Sequence, residues 1–356
     1  MTTLEQPPSS DAASLPDDPL VKAQLPGWAP GLLGVIVVGI GALAWLFGVG
    51  VTGSVAIAFL LFLVGLPLWS AAVEGRRAAV DRLVTTLVWS AFAIAMIPLV
   101  WLLYVVVDNG LETINMQFLT YEMRNVLGDE QGGLYHALIG TLLVTAAATV
   151  ISVPVGIFCA IYLVEYGKQN RLARVVTFLV DVMTGIPSIV AGLFALALFV
   201  LMFGPAYRSG FAGAVALSLL MVPTVVRSTE EMLRLVPEDL REASYALGVQ
   251  KWRTIAKVVL PTAFGGIVTG VVLAISRVIG ETAPLLVVAG FTDSVNTNLL
   301  DGRMMTLPVF IFTQYAQSTP KGYAYAWGGA LVLIAIVMVL NLVARIIGAV
   351  FAPKKG

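Results

Sequence analysis

Long apolar runs dominate this sequence and decide what it can become. A helix crossing a bilayer needs about 17 to 25 mostly apolar residues. Eight stretches qualify or nearly do: Leu32–Phe47, Ser54–Ser70, Leu87–Val107, Ala137–Val164, Val175–Phe203, Phe211–Val226, Phe264–Gly290 and Ala326–Val350. Of the 356 residues, 58% are hydrophobic and 12% charged. A soluble domain carries about twice that charged fraction, so the expected class is an all-α integral membrane protein. The formal net charge is zero, which gives no electrostatic footprint for nucleic acid.

The positions of the charges carry an orientation. Lys and Arg collect on the cytoplasmic side of membrane proteins. Here they fall at Arg76, Arg77 and Arg82, at Lys168, Arg171 and Arg174, throughout Arg227 to Lys257, and at Lys354 and Lys355. These are alternate loops, so both termini are expected to be cytoplasmic. Asp108 to Tyr135 and Phe291 to Tyr325 are the long external connections. Residues 1–30, rich in Pro, Ser, Asp and Ala up to Pro26, are expected to be a disordered cytoplasmic tail. They lack the basic start and adjoining apolar stretch of a signal peptide. The first two spans, joined by Gly48 to Gly53, form an accessory hairpin that ends with a basic linker, residues 31–82. Residues 83–356 are left as a six-span core.

Some chemistry is excluded directly. A single cysteine, Cys159, permits no internal disulfide and no multi-cysteine metal site. The single histidine, His136, permits no histidine cluster and is expected as a polar residue at a membrane entrance. No G-x-x-x-x-G-K-[ST] phosphate loop is present, and no catalytic dyad is visible, so the chain is not expected to be an enzyme. Gly and Pro inside spans, at Pro154, Gly156, Gly185, Pro187 and Gly192, mark either bends beside a pathway or close helix packing.

The connection 227–261 is more organised than a loop. Pro237 opens a helix, and Glu238 and Asp239 occupy a first turn where the helix dipole favours negative charge. Leu240, Ala243 and Leu247 share a face, and Gly248 supplies a left-handed stop. A second segment starts at Lys251, with Trp252, Ile255 and Val259 on one stripe, and is expected to end at Pro261. Small residues Ala243, Ser244 and Ala246 are expected to be exposed. This element reads equally as a docking surface or as a helix lying on the membrane.

Its motif favours docking. Glu242-Ala243-Ser244, three residues, Gly248, nine residues, then Val258-Val259-Leu260-Pro261 resembles the EAA loop of bacterial ABC importer permeases. It departs only in Ser244 for Ala and Val258 for Ile. The resemblance implies that Glu242, Ala243, Ser244, Gly248, Leu260 and Pro261 belong to a coupling helix that enters a groove on an ATPase subunit.

Charges within a span are site candidates by default. Arg277 and Glu281 stand four apart in the seventh run, which predicts a shared helix face. They are either an ion pair that neutralises itself or a site for an anion. A guanidinium offers forked donors to a tetrahedral oxyanion, and a carboxylate can accept a hydrogen bond from the protonated oxygen that phosphate still carries near neutral pH.

The run Arg277-Val278-Ile279-Gly280-Glu281-Thr282-Ala283-Pro284-Leu285 resembles a motif of the PstA-type permeases of phosphate ABC importers. So do Thr184 to Gly192, Arg227-Ser228-Thr229-Glu230 and Leu307-Pro308-Val309-Phe310. The resemblance covers the core and not residues 1–82. It implies a substrate pathway through Arg277, Glu281 and Thr282, with Arg227 either at its exit or an interfacial anchor. It also implies a bacterial cytoplasmic membrane location, a second permease, an ATPase dimer that binds ATP and Mg, and an external phosphate-binding protein. No cofactor is implied in this subunit. The alternatives are a permease for another oxyanion or polar solute, an ion-coupled secondary transporter using Arg277 and Glu281 as a relay, and a membrane scaffold or sensor. The docking loop argues against the second.

Overall fold

The computed structural model describes residues 24–126, 130–167 and 170–351. Most of the expected tail, with Lys168, Lys354 and Lys355, lies outside these. The helices in chain order are α1 Ala29–Leu46, α2 Val51–Val73, α3 Arg76–Leu111, α4 Met116–Thr120, α5 Tyr135–Ile161, α6 Arg171–Thr184, α7 Ser188–Phe203, α8 Gly210–Arg234, α9 Glu238–Ala246, α10 Lys251–Thr254, α11 Leu260–Val278, α12 Ala283–Val288, α13 Leu307–Ala316 and α14 Pro320–Phe351. No strand occurs among the described residues. Seven continuous helices are long and apolar enough to span a bilayer, and a bent pair makes an eighth crossing if counted as one.

That bent pair corrects the fifth apolar run. Val175–Phe203 is not one straight helix: α6 and α7 meet at 109°. The cause is local. Gly185 caps α6, and Pro187 lacks an N–H and disfavours helical backbone at Ile186. Gly156 and Gly192 serve the other purpose considered for such residues. A Cβ on Gly156 would meet Val225 at 2.6 Å, and one on Gly192 would meet Pro284 at 2.6 Å.

By its contacts the chain divides after Leu102, within α3. In the first unit α1 and α2 pack as a hairpin, with Gly41 against Ser54 and Ala58. Only Glu74 and Gly75 separate α2 from α3, so the basic segment from Arg76 is helical. Glu74 is held by Arg82 Nε and Nη2 at 2.7 Å, by the Ser70 hydroxyl at 2.6 Å and by the Leu25 N–H at 2.8 Å.

The second unit is built around α8, most of whose residues are buried. Ala212, Gly213, Ala214 and Ala216 let its neighbours approach closely. Gly140 of α5 lies so close to the Met305 carbonyl that a Cβ would overlap it. Beside it the Thr141 hydroxyl accepts the Leu307 N–H at 2.7 Å. The connection after α12 is therefore not a plain external loop. It returns α13 into the core, where Leu307, Val309 and Phe310 are fully buried. His136 is buried edge-on against Phe310, with no hydrogen-bond partner among the described residues.

Candidate functional site: an unpaired arginine at a helix break

The structure separates Arg277 from Glu281. α11 ends at Val278, and Glu281 lies in the break before α12, its N–H bonded to the Val278 carbonyl at 3.1 Å. The two residues do not share a helix face. Gly280 disfavours continuation, and Pro284 lacks the N–H that a continuing helix would use at that turn. Among the described residues Arg277 and Glu281 form no ion pair with each other or with any other group. Self-neutralisation is therefore not what holds them. Arg277 is exposed and donates a long bond, 3.4 Å, to the Thr224 hydroxyl of α8. Thr282 occupies the N-cap of α12 but gives no side-chain cap.

Thr224 links Arg277 to the next cation. Arg227 follows three residues later on α8, about 4.5 Å along the axis. It is neutralised on two sides, by Asp181 of α6 and by Glu230 at 2.7 Å. Glu230 also holds Arg234. Asp181 thus has a definite partner. The arrangement is one guanidinium without an ion-pair partner, a hydroxyl and one paired guanidinium in sequence, with Glu281 following in the break.

The connection from α8 to α11 carries the second group of candidate residues. Pro237 is the N-cap of α9, and Gly248, at φ +75°, lies just beyond its C-terminus. Lys251–Val278 is one continuous span, so Pro261 does not end a helix as expected. A wide turn at Ile255–Val259, in which the Leu260 N–H reaches back to the Ile255 carbonyl, lets the helix pass through it. Ser244 is also not exposed as expected. It is buried, and its hydroxyl bonds that of Thr254 at 2.8 Å, tying α9 to α10. Ile255 and Val259 are buried, whereas Trp252 points outward.

The outer face of α9 mixes apolar and acidic side chains: Leu240, Ala243 and Tyr245 are exposed together with Glu238, Asp239 and Glu242, and Leu247 is exposed just beyond the helix. Arg241 and Ser244 turn inward instead. Arg241 pairs with the buried Glu165 at 2.9 Å and donates to the Val236 and Leu233 carbonyls at 2.6 and 2.9 Å. Lys251 bonds the Glu165 carbonyl. A cavity of about 520 Å³ opens beside this pair, lined partly by Glu165, Pro237 and Arg241. Sequence reasoning missed Glu165. Its only signal is one acid in the run Tyr162 to Tyr166, and its partner lies 76 residues away.

Residues 152–356 match the family model described as "Binding-protein-dependent transport system inner membrane component". The chain is 48% identical over 282 residues to "Phosphate transport system permease protein PstA 1" of Mycobacterium tuberculosis (strain ATCC 25618 / H37Rv), covering 79% of this chain and 91% of that one. It belongs to the PstA-type permeases of the binding-protein-dependent transport family. A PstA from Yersinia pestis is 40% identical over 275 residues, covering 77% of this chain and 91% of the relative. Among solved structures, an inward-facing conformation of the MetNI methionine ABC transporter is similar at a TM-score of 0.49 and 21% identity, over 62% of this chain and 95% of that one. As a PstA-type permease the chain is a multi-pass membrane protein and a transport component. The family model begins inside α5, so the helix break, Arg227 and the α9 connection all fall within it.

Proposed function

We propose that this chain is a membrane-spanning subunit of an ATP-driven importer of inorganic phosphate, in a bacterial cytoplasmic membrane. The carrying observation is Arg277, without an ion-pair partner at the break after α11 and bonded to Thr224, which lies about one turn before Arg227 on α8. The names of its relatives point to phosphate as the ligand. Arg277 supplies forked donors to the anion, Glu281 accepts a hydrogen bond from its protonated oxygen, and Thr282 and Arg227 continue the path. A second permease completes the pathway. The exposed face of α9, with Glu242, Ala243, Gly248, Leu260 and Pro261, docks an ATPase dimer. Ser244 acts from within, through Thr254. ATP and Mg are bound by that partner, and an external binding protein delivers phosphate. The face carrying α9 is cytoplasmic, as are both termini.

Labelled-phosphate uptake by the reconstituted complex tests this reading. Arg277→Lys keeps the charge but loses the fork. A charged hydrogen bond contributes about 1.5–3 kcal/mol, so uptake should fall roughly 10- to 150-fold with assembly intact. Glu281→Gln should lower it as well. Uptake at the unmodified rate by the double variant Arg277→Gln, Glu281→Gln would remove the site.

A further inference from the structure

At the N-terminal end of α8, the end away from α9, a cavity of about 430 Å³ opens between the α7–α8 connection, α12 and the segment that follows it. Arg208 borders it from one side, Leu286 and Val287 of α12 form a wall, and Phe291 and Arg303 close the other side. Neither arginine has a carboxylate partner among the described residues. Asp301 is close in sequence to Arg303, but it does not line the cavity, and its main-chain carbonyl bonds Asn296. Two unneutralised cations around one hollow make a local field that favours an anion.

Both arms are fixed from behind. Arg208 Nη1 donates to the Tyr207 carbonyl at 2.8 Å. The Tyr207 ring stacks on Phe203 and Phe199 at 4.7 and 5.8 Å, and its hydroxyl donates to the Leu300 carbonyl at 2.5 Å. The stem of Arg303 lies across Gly290, where a Cβ would meet its Cγ and Cδ at 3.3 Å. Its guanidinium sits over the Phe291 ring at 5.9 Å. One Arg208 donor is used, and Arg303 donates to no acceptor among the described residues. The remaining donors are held in place and available to a ligand.

The cavity also has a direction. Its α12 wall is six residues long, about 9 Å, and begins at the break that contains Glu281. We propose that Arg208 and Arg303 form a receiving site for a phosphate group, occupied by free inorganic phosphate before it reaches Arg277. This rests on the phosphate-path reading of Arg277. The same chemistry could also draw a lipid headgroup, which the test separates.

The test is arginine-specific labelling of the purified complex by phenylglyoxal, read peptide by peptide by mass spectrometry. Inorganic phosphate at about four times its dissociation constant should slow labelling of Arg208 and Arg303 about fivefold. Chloride at matched ionic strength should not, and the exposed Arg171 should be unaffected by either. Equal labelling with and without phosphate overturns the proposal. Protection by phosphatidylglycerol vesicles but not by phosphate assigns the cavity to lipid and also overturns it. As a second readout, Arg208→Gln with Arg303→Gln should reduce uptake more at limiting than at saturating phosphate, and equal uptake at both counts against the site. The two ideas fail separately. Protection at Arg277 without protection here removes only the receiving site. Protection here with normal transport by Arg277→Lys removes only the path through Arg277.

Discussion

Glu165→Ala is the sharpest perturbation of the docking loop. It deletes the counter-ion of Arg241, a side chain that is itself only 12% exposed. Removing one partner of a buried pair costs about 3–5 kcal/mol. Arg241 retains the Leu233 and Val236 carbonyls, which places the loss at the lower end, about 3 kcal/mol. The cost falls on α9, because the pair joins α9 to the turn after α5 rather than closing the central packing around α8. Hydrogen exchange of the full complex reads it. Amides from Glu238 to Val249 open locally, and about 3 kcal/mol converts to roughly 150-fold faster exchange. Glu165→Gln keeps an acceptor and should lose only about 1 kcal/mol, roughly fivefold. Glu231→Gln is the control, since that exposed carboxylate of α8 bonds nothing among the described residues. An acceleration below about threefold in Glu165→Ala, or an equal one in the Glu231→Gln control, would refute the assignment of Glu165 as the anchor of α9.

The Glu74 carboxyl is lowered from its ordinary 4.5 to about 2, first by the bonds from Arg82, then by Ser70 and the Leu25 N–H. A depressed carboxylate contributes stability that is complete above its unfolded value and is lost as pH falls through the folded one. The Leu25 tie should therefore hold at pH 5 and loosen between about 4.5 and 2. Proteolysis near Leu25 followed against pH should show that window, and Glu74→Gln should abolish it. Orientation is testable with single cysteines in a Cys159→Ser background. Met116→Cys should label from outside with an impermeant reagent and Glu242→Cys only after permeabilisation; the opposite pattern would invert the proposed topology.

Hydropathy made the spans legible because a bilayer crossing is a requirement on composition and length. Punctuation by Pro237 and Gly248 marked both ends of α9 for the same local reasons that operate in the structure. The breaks inside spans were harder. Gly185 and Pro187 read equally as a bend or as close packing, and because the apolar flanks of α6 and α7 keep the run continuous, the sequence did not choose the 109° bend between them. The break after Val278 is weaker still in sequence, since apolar residues resume at once in α12. The spacing of Arg277 and Glu281 then suggested a shared face that the backbone does not provide. Pairings such as Glu165 with Arg241, or Asp181 with Arg227, are set by packing across 76 and 46 residues. No periodicity reaches that far.

The two breaks also bear on each other. α7 leaves the first bend and packs on α12, which leaves the second, and Gly192 against Pro284 is the close contact between them. Irregular backbone at membrane depth persists only where protein covers it or where it lines a polar path, because hydrocarbon offers no hydrogen bonds to the freed groups. A single break could be covered by packing alone. Here the segment α11–α12 leaves two charged side chains without partners at its break, and Asp181, on the helix before the other bend, is spent on neutralising Arg227. Packing accounts for Gly192 and Pro284. It gives no reason to leave Arg277 and Glu281 without ion-pair partners in a span, where charge is costly. The anion path proposed above would supply one, since it would hydrate both groups at rest and offer each a partner when phosphate passes.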